Sequence, residues 1–316
     1  MNKYKNLNKT AANHSALTPL TLLQRSARVY PDKQAVIDDD MSLSYRDLYR
    51  RCRQMADALR ARGISPGDTV AILCPNSHEM LESHYSVPMA GAVLNSMNIR
   101  LDAGTLSFIL AHGEARVLFY DTQWENQVRA AIAELEVPPL LVAIERKSGP
   151  SEGLAELDYE SLLAEGDPEA SWSQPDDEWD AITLNYTSGT TGTLKAAQHT
   201  QASYAGVCKN VLLNLVAVEQ DDAMLHAASL IHASGVFVLP FWLRGARTVI
   251  MPGFDPDAFL ELIEKERITA VNMVPTMLQM LPGHPRFAAL HVTRLRPVIP
   301  GPSPAPRPVA PKATAP

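Results

Sequence analysis

The sequence has few cysteines, no excess of basic residues and no long apolar run, and each shortage excludes a class of protein. Its three cysteines lie far apart without a CxxC spacing, so neither a disulfide framework nor a zinc site is expected. The 316 residues carry a formal net charge of −7, which gives no basic surface suited to nucleic acid. The longest apolar run, residues 236–243, contains a proline and is too short to cross a bilayer.

The amino-terminal segment carries charges but lacks the apolar stretch of a secretory signal. Apolar residues make up 46% of the chain and charged residues 20%, which is typical of a globular protein that buries a sizeable core. Together with the reduced cysteines, these features predict a cytoplasmic protein without a membrane span.

Short β-rich runs alternate with amphipathic helical runs, which predicts an α/β protein. The clearest helix lies between Ser44 and Gly63: apolar residues recur at helical spacing, Ser44 with Asp47 resembles a capping box, and glycine is typical after a helix. Further strands are predicted at 69–74, 91–97, 115–120, 140–144, 181–186, 223–228, 247–251 and 268–274. Further helices are predicted at 77–90, 105–112, 124–135, 200–216, 234–244 and 255–267. The acidic stretch 148–180 is interpreted as a connection with a short helix near 159–163.

The segment 186–195, Tyr-Thr-Ser-Gly-Thr-Thr-Gly-Thr-Leu-Lys, has the composition of a phosphate-binding loop. Its glycines allow close approach of the backbone to a ligand, its hydroxyls and amides can donate to anionic oxygens, and its lysine adds a positive charge. It is expected between a strand and a helix, where phosphate loops occur. It is not a Walker A loop, because only two residues separate its two glycines. A solvated turn is the alternative for a generic Thr/Gly-rich stretch. The candidate phosphate-binding residues are Thr187, Ser188, Gly189, Thr190, Thr191, Gly192 and Lys195.

This string resembles the signature of the adenylate-forming superfamily, which includes acyl-CoA synthetases, firefly luciferases and peptide-synthetase adenylation domains. The resemblance implies the layered sheets and helices of that family's N-terminal domain. It also implies that the loop holds the β- and γ-phosphates of ATP while a carboxylate attacks the α-phosphate. The family usually has Pro-Lys-Gly at the end of this loop, whereas this chain has Leu194-Lys195-Ala196, which predicts a less preorganised loop.

Other segments extend the resemblance from about residue 17 to residue 281. The segments 31–36, 43–48, 67–72 and 88–101 are similar to the acyl-CoA synthetase branch, which acts on medium-chain fatty acids or related organic acids. The segment 230–235 resembles the family's His-x-x-Gly motif, which implies that His232 lies beside the acyl adenylate as a catalytic residue. A hydrogen-bonded structural histidine is the alternative. No aspartate occurs in 230–242, which argues against an amino-acid substrate.

The resemblance implies ATP-dependent activation of a carboxylic acid to an acyl adenylate and then to an acyl-CoA. ATP, Mg²⁺ and coenzyme A are the implied cofactors, and a small-molecule carboxylic acid is the implied partner. No metal-ligating residue is assigned. The alternative is a non-catalytic fragment that binds nucleotide weakly or serves as a scaffold. A phosphotransfer kinase would need a Walker A or kinase glycine-rich loop, and neither is present.

The family's later segments, including its Tyr-Gly-x-Thr-Glu motif and its C-terminal small domain, have no counterpart in this sequence. Residues 297–316 contain eight of the 24 prolines and no acidic residue. The expected organisation is a disordered N-terminus at 1–16, a partial AMP-binding large domain at 17–296 and a disordered proline-rich tail at 297–316. A truncated or frameshifted gene product is the first interpretation and a native proline-rich linker the second. Little or no catalysis is expected of this chain.

Three histidines and one acidic segment receive no chemical role from the sequence. His226, His284 and His291 are interpreted as packing or surface residues. The acidic residues near 176–180 are interpreted as a solvated connection, with a cation site as the alternative.

Overall fold

In the computed structural model the chain forms two mixed sheets with helices between and outside them. The structure describes residues 8, 10, 12–147, 149–172, 174–188, 194–287, 295 and 298–300. The described strands are β1 (Gln34–Asp38), β2 (Met41–Ser44), β3 (Thr69–Leu73), β4 (Val93–Ser96), β5 (Ala115–Asp121), β6 (Leu140–Ile144), β7 (Leu157–Asp158), β8 (Ala181–Ser188), β9 (Leu194–Thr200), β10 (Ala223–His226), β11 (Arg247–Ile250), β12 (Ala270–Met273) and β13 (Val298–Pro300). The described helices are α1 (Pro19–Val29), α2 (Tyr45–Ala61), α3 (His78–Met89), α4 (Ala103–His112), α5 (Glu125–Ile132), α6 (Tyr159–Glu165), α7 (Gln201–Asn214), α8 (Val238–Leu243), α9 (Pro256–Lys265) and α10 (Pro275–Met280).

The larger sheet has seven strands in the order β7-β6-β5-β3-β4-β8-β9, and the smaller has six in the order β13-β12-β10-β11-β1-β2. Neighbouring strands run parallel except in the pairs β1–β2 and β8–β9. The strands β3, β4 and β10 are buried along their whole length, which explains the mostly apolar sequences of β3 and β10. The predicted α/β fold of layered sheets and helices is confirmed.

The helix predicted between Ser44 and Gly63 is α2. The Ser44 hydroxyl accepts a hydrogen bond from the backbone N–H of Asp47, which caps the first turn. Gly63 follows the helix with a φ of +85°, a conformation that favours glycine. The capping residues therefore fix both ends of the helix.

The central layer of helices lies between the two sheets. Its middle is α3, which begins after the N-cap Ser77 and is buried at nearly every position. The apolar core of this layer joins α1, α2, α3, α6 and α8 to one face of each sheet. Outside the larger sheet lie α4 and α5, and outside the smaller sheet lie α9 and α10. The result is a five-layer arrangement of helices and sheets.

Some elements differ from the sequence-based expectation. The helix α1, the hairpin β1–β2, the strand β9 and the short helix α10 were not predicted. The strand β13 lies at the edge of the smaller sheet, inside the stretch whose prolines predicted irregular structure; prolines are tolerated at a sheet edge. The predicted helix near 159–163 is confirmed as α6. The predicted domain boundaries stay predictions.

A buried ionic cluster joins the two sheets through the start of α3. The guanidinium of Arg146, beyond β6, bonds to Asp38 at the end of β1 at 2.7 Å and to Glu79 at 2.9 Å. The His78 ring nitrogen Nδ1 lies 2.8 Å from the same Asp38 carboxylate. Burial alone would raise the pKa of Asp38, but the hydrogen bonds from His78 and Arg146 and the Arg146 charge hold it well below its ordinary value. Arg146 thus supplies the cation that these acids need.

The three cysteines are free thiols, as the sequence predicts, and all three are buried. None of the helices in the described ranges is both long enough and apolar enough to span a bilayer.

Candidate functional site

Three adjoining cavities lie at the carboxyl ends of the parallel strands, where α/β proteins commonly bind ligands. The central cavity has a volume of about 620 Å³ and lies between the ends of β3 and β4 in one sheet and β10, β11 and β12 in the other. The side cavity, of about 340 Å³, lies between the β8–β9 hairpin and α7. The hairpin cavity, of about 260 Å³, lies between β4 and β8. Ile231 and His232 line all three cavities, so they mark the point where the cavities meet.

The candidate phosphate loop connects two antiparallel strands. β8 ends at Ser188 and β9 begins at Leu194, so the expected junction of a strand with a helix is wrong. The reason is that residues 194–200, before α7, pair along their length with β8. Four of the predicted residues, Gly189, Thr190, Thr191 and Gly192, lie outside the described part of the chain, and Ser188 is the last described residue of β8.

Thr187 and Lys195 stand directly opposite each other in the β8–β9 ladder. Directly opposed residues of an antiparallel pair project from the same face, with Cβ atoms about 4.5–5.5 Å apart. Thr187 is exposed and lines both the side and the hairpin cavity, next to His232. Lys195 is also exposed and makes no salt bridge with any described residue. The hairpin therefore presents a hydroxyl that lines two cavities and, opposite it in the ladder, a cation that pairs with no described acid.

The two departures from the family's Pro-Lys-Gly sequence both lie in β9. Leu194 opposes Ser188 in the ladder and packs against the apolar core beneath α4 and α5. Ala196 opposes Tyr186 and is exposed. Leu194 and Ala196 are thus strand residues, and Leu194 adds a packing contact at the base of the hairpin.

His232 lies in the turn 227–235 that follows β10. Partial desolvation lowers the pKa of its imidazole below the ordinary value, so the ring is neutral at pH 7. A neutral imidazole can orient a carboxylate or phosphate by hydrogen bonding, without adding charge. Gly235, the glycine of the predicted His-x-x-Gly motif, packs so closely that a Cβ there would collide with the carbonyl oxygen of Leu230. The glycine at position 235 therefore has a steric cause.

Two residues that received no functional role from the sequence hold this turn in place. Asn76, buried after β3, bonds to the backbone on both sides of the turn's start. His226 is fully buried, and its Nδ1 lies 2.8 Å from the hydroxyl of Ser234. Burial lowers the pKa of His226 to about 3, so it is a neutral packing residue. That outcome agrees with its interpretation from the sequence, whereas the role of Asn76 was missed because its partners are remote in the chain.

The hairpin cavity contains polar groups suited to a polar ligand. Both side-chain amide atoms of Asn95 and the hydroxyl of Ser96 are buried without a hydrogen-bond partner among the described residues. Buried polar groups without partners are costly, so these atoms favour a ligand or ordered water in the cavity. Tyr186, at the base of the loop, also lines this cavity, and its hydroxyl lies 2.8 Å from Nδ1 of His112.

The described residues that line the three cavities include no aspartate or glutamate. Mg²⁺ prefers carboxylate, phosphate and water oxygens. The described lining therefore offers no carboxylate ligand for Mg²⁺, although Thr187 in the lining, with Lys195 opposite it in the ladder, can accept phosphate groups. A cluster of acids elsewhere, Asp38 with Glu79, already surrounds the guanidinium of Arg146.

The acidic connection before β8 serves local structure. The carboxylate of Asp177 accepts a hydrogen bond from the backbone N–H of Trp179, and that of Asp180 accepts one from the N–H of Asp177. The Glu178 carboxylate accepts a bond from the N–H of Leu17, which joins the connection to the segment before α1. These bonds favour the structural interpretation over a cation site.

Comparison with known proteins gives relatives along nearly the whole chain. The family described as AMP-binding enzyme matches residues 23–314. The chain is 34% identical over 299 residues to a 2-methylpropanoate–CoA ligase of Humulus lupulus, covering 92% of this chain and 53% of the relative. It is also 34% identical over 296 residues to a peroxisomal acetate/butyrate–CoA ligase of Arabidopsis thaliana, covering 89% and 52%. The chain spans about half the length of these curated relatives.

The fold comparison agrees with the sequence comparison. The inhibitor-bound N-terminal domain of FACL13 from Mycobacterium tuberculosis superposes with a TM-score of 0.80 at 28% identity, covering 94% of this chain and 74% of that domain. The described elements thus correspond to the N-terminal domain of such proteins.

Proposed function

The chain belongs to the AMP-binding enzyme family, and on that premise we propose that it serves the ATP-dependent activation of a carboxylic acid to an acyl adenylate and then an acyl-CoA. In the first step a carboxylate oxygen attacks the α-phosphorus of ATP, and the bond to the β-phosphate breaks to release pyrophosphate. In the second step the thiol of coenzyme A takes the acyl group and AMP leaves. The family's ligases supply the precedent for both steps.

The observation that carries the proposal is that Thr187 and His232 line the same two cavities, while Lys195 stands opposite Thr187 in the β8–β9 ladder. A lysine that pairs with no described acid, opposite a hydroxyl in the ladder, suits the terminal phosphates of ATP. Mg²⁺ in this proposal is held chiefly by the phosphate oxygens of ATP. The loop residues Ser188, Gly189, Thr190, Thr191 and Gly192 complete the proposed phosphate site.

The side cavity is the proposed place for the acyl chain. It is lined mainly by apolar groups, including Val207, Val236 and Leu239, and its inner end reaches His232. The neutral imidazole of His232 can then donate a hydrogen bond to the carboxylate while the chain lies in the apolar space. The volume of about 340 Å³ favours a short- or medium-chain organic acid.

Binding of ATP tests the phosphate site directly. We expect ³¹P NMR of ATP to show saturable perturbation of the β- and γ-phosphate signals by the full chain. Lys195→Ala should weaken the affinity about tenfold or more, because it removes a charge-assisted contact. Lys265→Ala is the matched control, since it removes the same charge from the exposed side of α9. Absence of ATP binding, or equal affinity in wild type and Lys195→Ala, would contradict the proposal.

A second experiment separates catalysis from binding. Pyrophosphate exchange into ATP is measured with acetate, butanoate, 2-methylpropanoate, octanoate and benzoate. Acid-dependent exchange that Lys195→Ala abolishes would support adenylation by this chain. Binding of ATP without exchange for any acid would support the alternative, a nucleotide-binding chain without catalysis.

A further inference from the structure

One buried amide bridges the carboxyl ends of the two sheets beneath the central cavity. Asn76 follows β3 of the larger sheet, and its Oδ1 accepts a hydrogen bond from the backbone N–H of Leu230 at 2.8 Å. Its Nδ2 faces three carbonyl oxygens at the ends of β10 and β11 or just beyond them: His226 at 3.3 Å, Ala228 at 3.0 Å and Met251 at 3.1 Å. The side chain is 6% exposed, so these contacts form away from bulk water.

The same contacts fix the start of the turn that carries His232. Leu230 is bonded to Asn76 and lies two residues before His232. The other end of the turn is held by the contact between His226 and Ser234 and by the close packing of Gly235 on Leu230. Asn76 therefore ties the turn to the opposite sheet at two backbone positions, Ala228 and Leu230, while His226 ties Ser234 to the turn's own sheet.

We propose that Asn76 is a positioning residue that fixes the imidazole of His232 relative to the β8–β9 hairpin across the cleft. Only a carboxamide offers donors for the carbonyl oxygens and an acceptor for the Leu230 N–H in one plane. Aspartate at this position would place a carboxylate oxygen against three carbonyl oxygens. The functional meaning of this positioning rests on the proposed role of His232, whereas the positioning itself follows from the contacts.

Hydrogen exchange in the full chain tests the positioning without any ligand. In Asn76→Asp and Asn76→Ala we expect the backbone amides of Leu230 and of 232–235 to exchange at least about tenfold faster relative to those of β3 and β11. Glu125→Ala is the matched control, because Glu125 is likewise buried and accepts bonds from backbone amides at 152 and 154, far from the cavities. That control should accelerate exchange at 151–155 and leave 230–235 unchanged. Unchanged exchange at 230–235 in the Asn76 variants would overturn the proposal.

The NMR titration of His232 gives a second readout that general destabilisation does not move. Its pKa is lowered by partial desolvation in the native turn. In folded Asn76→Ala we expect that pKa to shift toward the ordinary histidine value, and in Glu125→Ala to stay as in wild type. A His232 pKa that is equal in wild type and Asn76→Ala would also overturn the proposal.

The wild-type protein provides a measurement that does not depend on the folding of a variant. The Leu230 amide donates to a buried acceptor, so it should exchange as slowly as the amides of β10. Exchange at the rate of an exposed amide would overturn the proposal even if both Asn76 variants failed to fold.

A separate measurement, the binding of butanoate, tests the role in acid binding that is proposed for His232. Butanoate is titrated into wild type, Asn76→Ala and His232→Ala and followed by ligand-detected NMR. Weaker butanoate binding in both variants supports the link between Asn76 and His232. Binding that is indifferent to His232→Ala contradicts the proposed role of His232, while the exchange result still decides the positioning.

Discussion

The interior between the sheets and the β8–β9 hairpin differ in the burial and ion pairing of their charged side chains. In the interior, Arg146 is bonded to Asp38 and Glu79, and all three side chains are largely buried. In the hairpin, Lys195 is exposed and makes no salt bridge within the described residues. A buried charge needs a partner because desolvation is costly, whereas an exposed cation stays available to an anionic ligand. The comparison separates residues that hold the fold from a residue that can bind phosphate.

The largest expected effect is the loss of the interior cation. Arg146→Ala leaves two buried carboxylates without their guanidinium partner and with only His78 close by among the described cations, and it should lower the free energy of unfolding by about 3–5 kcal/mol in urea denaturation. Lys147→Ala is the adjacent control: its side chain is 79% exposed and, among the described acids, pairs with Asp39 alone, so the change should stay below about 1 kcal/mol. Equal losses of unfolding free energy in the two variants would contradict the expected difference between a buried and an exposed cation.

The two acids that bond to Arg51 provide a further test within the interior. Glu82 is fully buried, whereas the Glu160 side chain is 55% exposed. Glu82→Ala should cost about 3 kcal/mol of unfolding free energy, because it leaves the Arg51 charge without its buried partner. Glu160→Ala should cost less than about 1 kcal/mol. The reverse order in equilibrium unfolding would show that burial does not set the contribution of these pairs.

The pH dependence of stability should report the buried His226. Its pKa is about 3 in the folded protein, below the value of 6.5 for an unperturbed histidine, so the unfolded chain binds more protons between these pH values. The contribution is complete above pH 6.5 and is lost as the pH falls toward 3, by about 1.4 kcal/mol per pH unit. The free energy of urea unfolding is measured at pH 7.5, 6.0 and 5.0. His226→Gln should depend less on pH than the wild type, by the slope that this one histidine contributes. A variant with the wild-type slope would contradict the burial of a neutral ring.

The smallest expected change in stability belongs to the hairpin. Lys195→Ala removes an exposed side chain without an ion pair to any described residue, so unfolding free energy should change by less than about 0.5 kcal/mol. Thermal and urea unfolding would both measure this. A loss of several kcal/mol would place Lys195 among the residues that hold the fold.

The sequence predicts the buried parts of this fold well because their patterns are local. The strands β3, β5, β6 and β10 are short, mostly apolar runs, and α2 carries its own capping signals at Ser44 and Gly63. By contrast, β9 contains residues such as Lys195, Ala196 and Gln198 that have low strand propensity. Its strand structure depends on pairing with β8, which the local sequence does not show. The sequence therefore predicted that the loop leads directly into α7.

The candidate site was predictable where a motif is continuous and not where its contacts are remote. Thr187, Lys195 and His232 were identified from motif resemblance; Thr187 and His232 line the same two cavities, and Lys195 stands opposite Thr187 in the ladder. Asn76 could not be assigned a role from the sequence, because its bonding partners lie 150 to 175 residues later in the chain. The pairing of two sheets across a cleft is a tertiary property that local patterns do not encode.

The central claim is that the hairpin binds phosphate while contributing little to folding, and the stabilisation of the chain by ATP tests it most directly. A ligand present at ten times its dissociation constant raises the free energy of unfolding by about 1.4 kcal/mol. We predict that wild type and Lys195→Ala have equal stability without ATP, and that ATP at this level stabilises wild type clearly and Lys195→Ala much less. Equal stabilisation of the two proteins by ATP would contradict the claim.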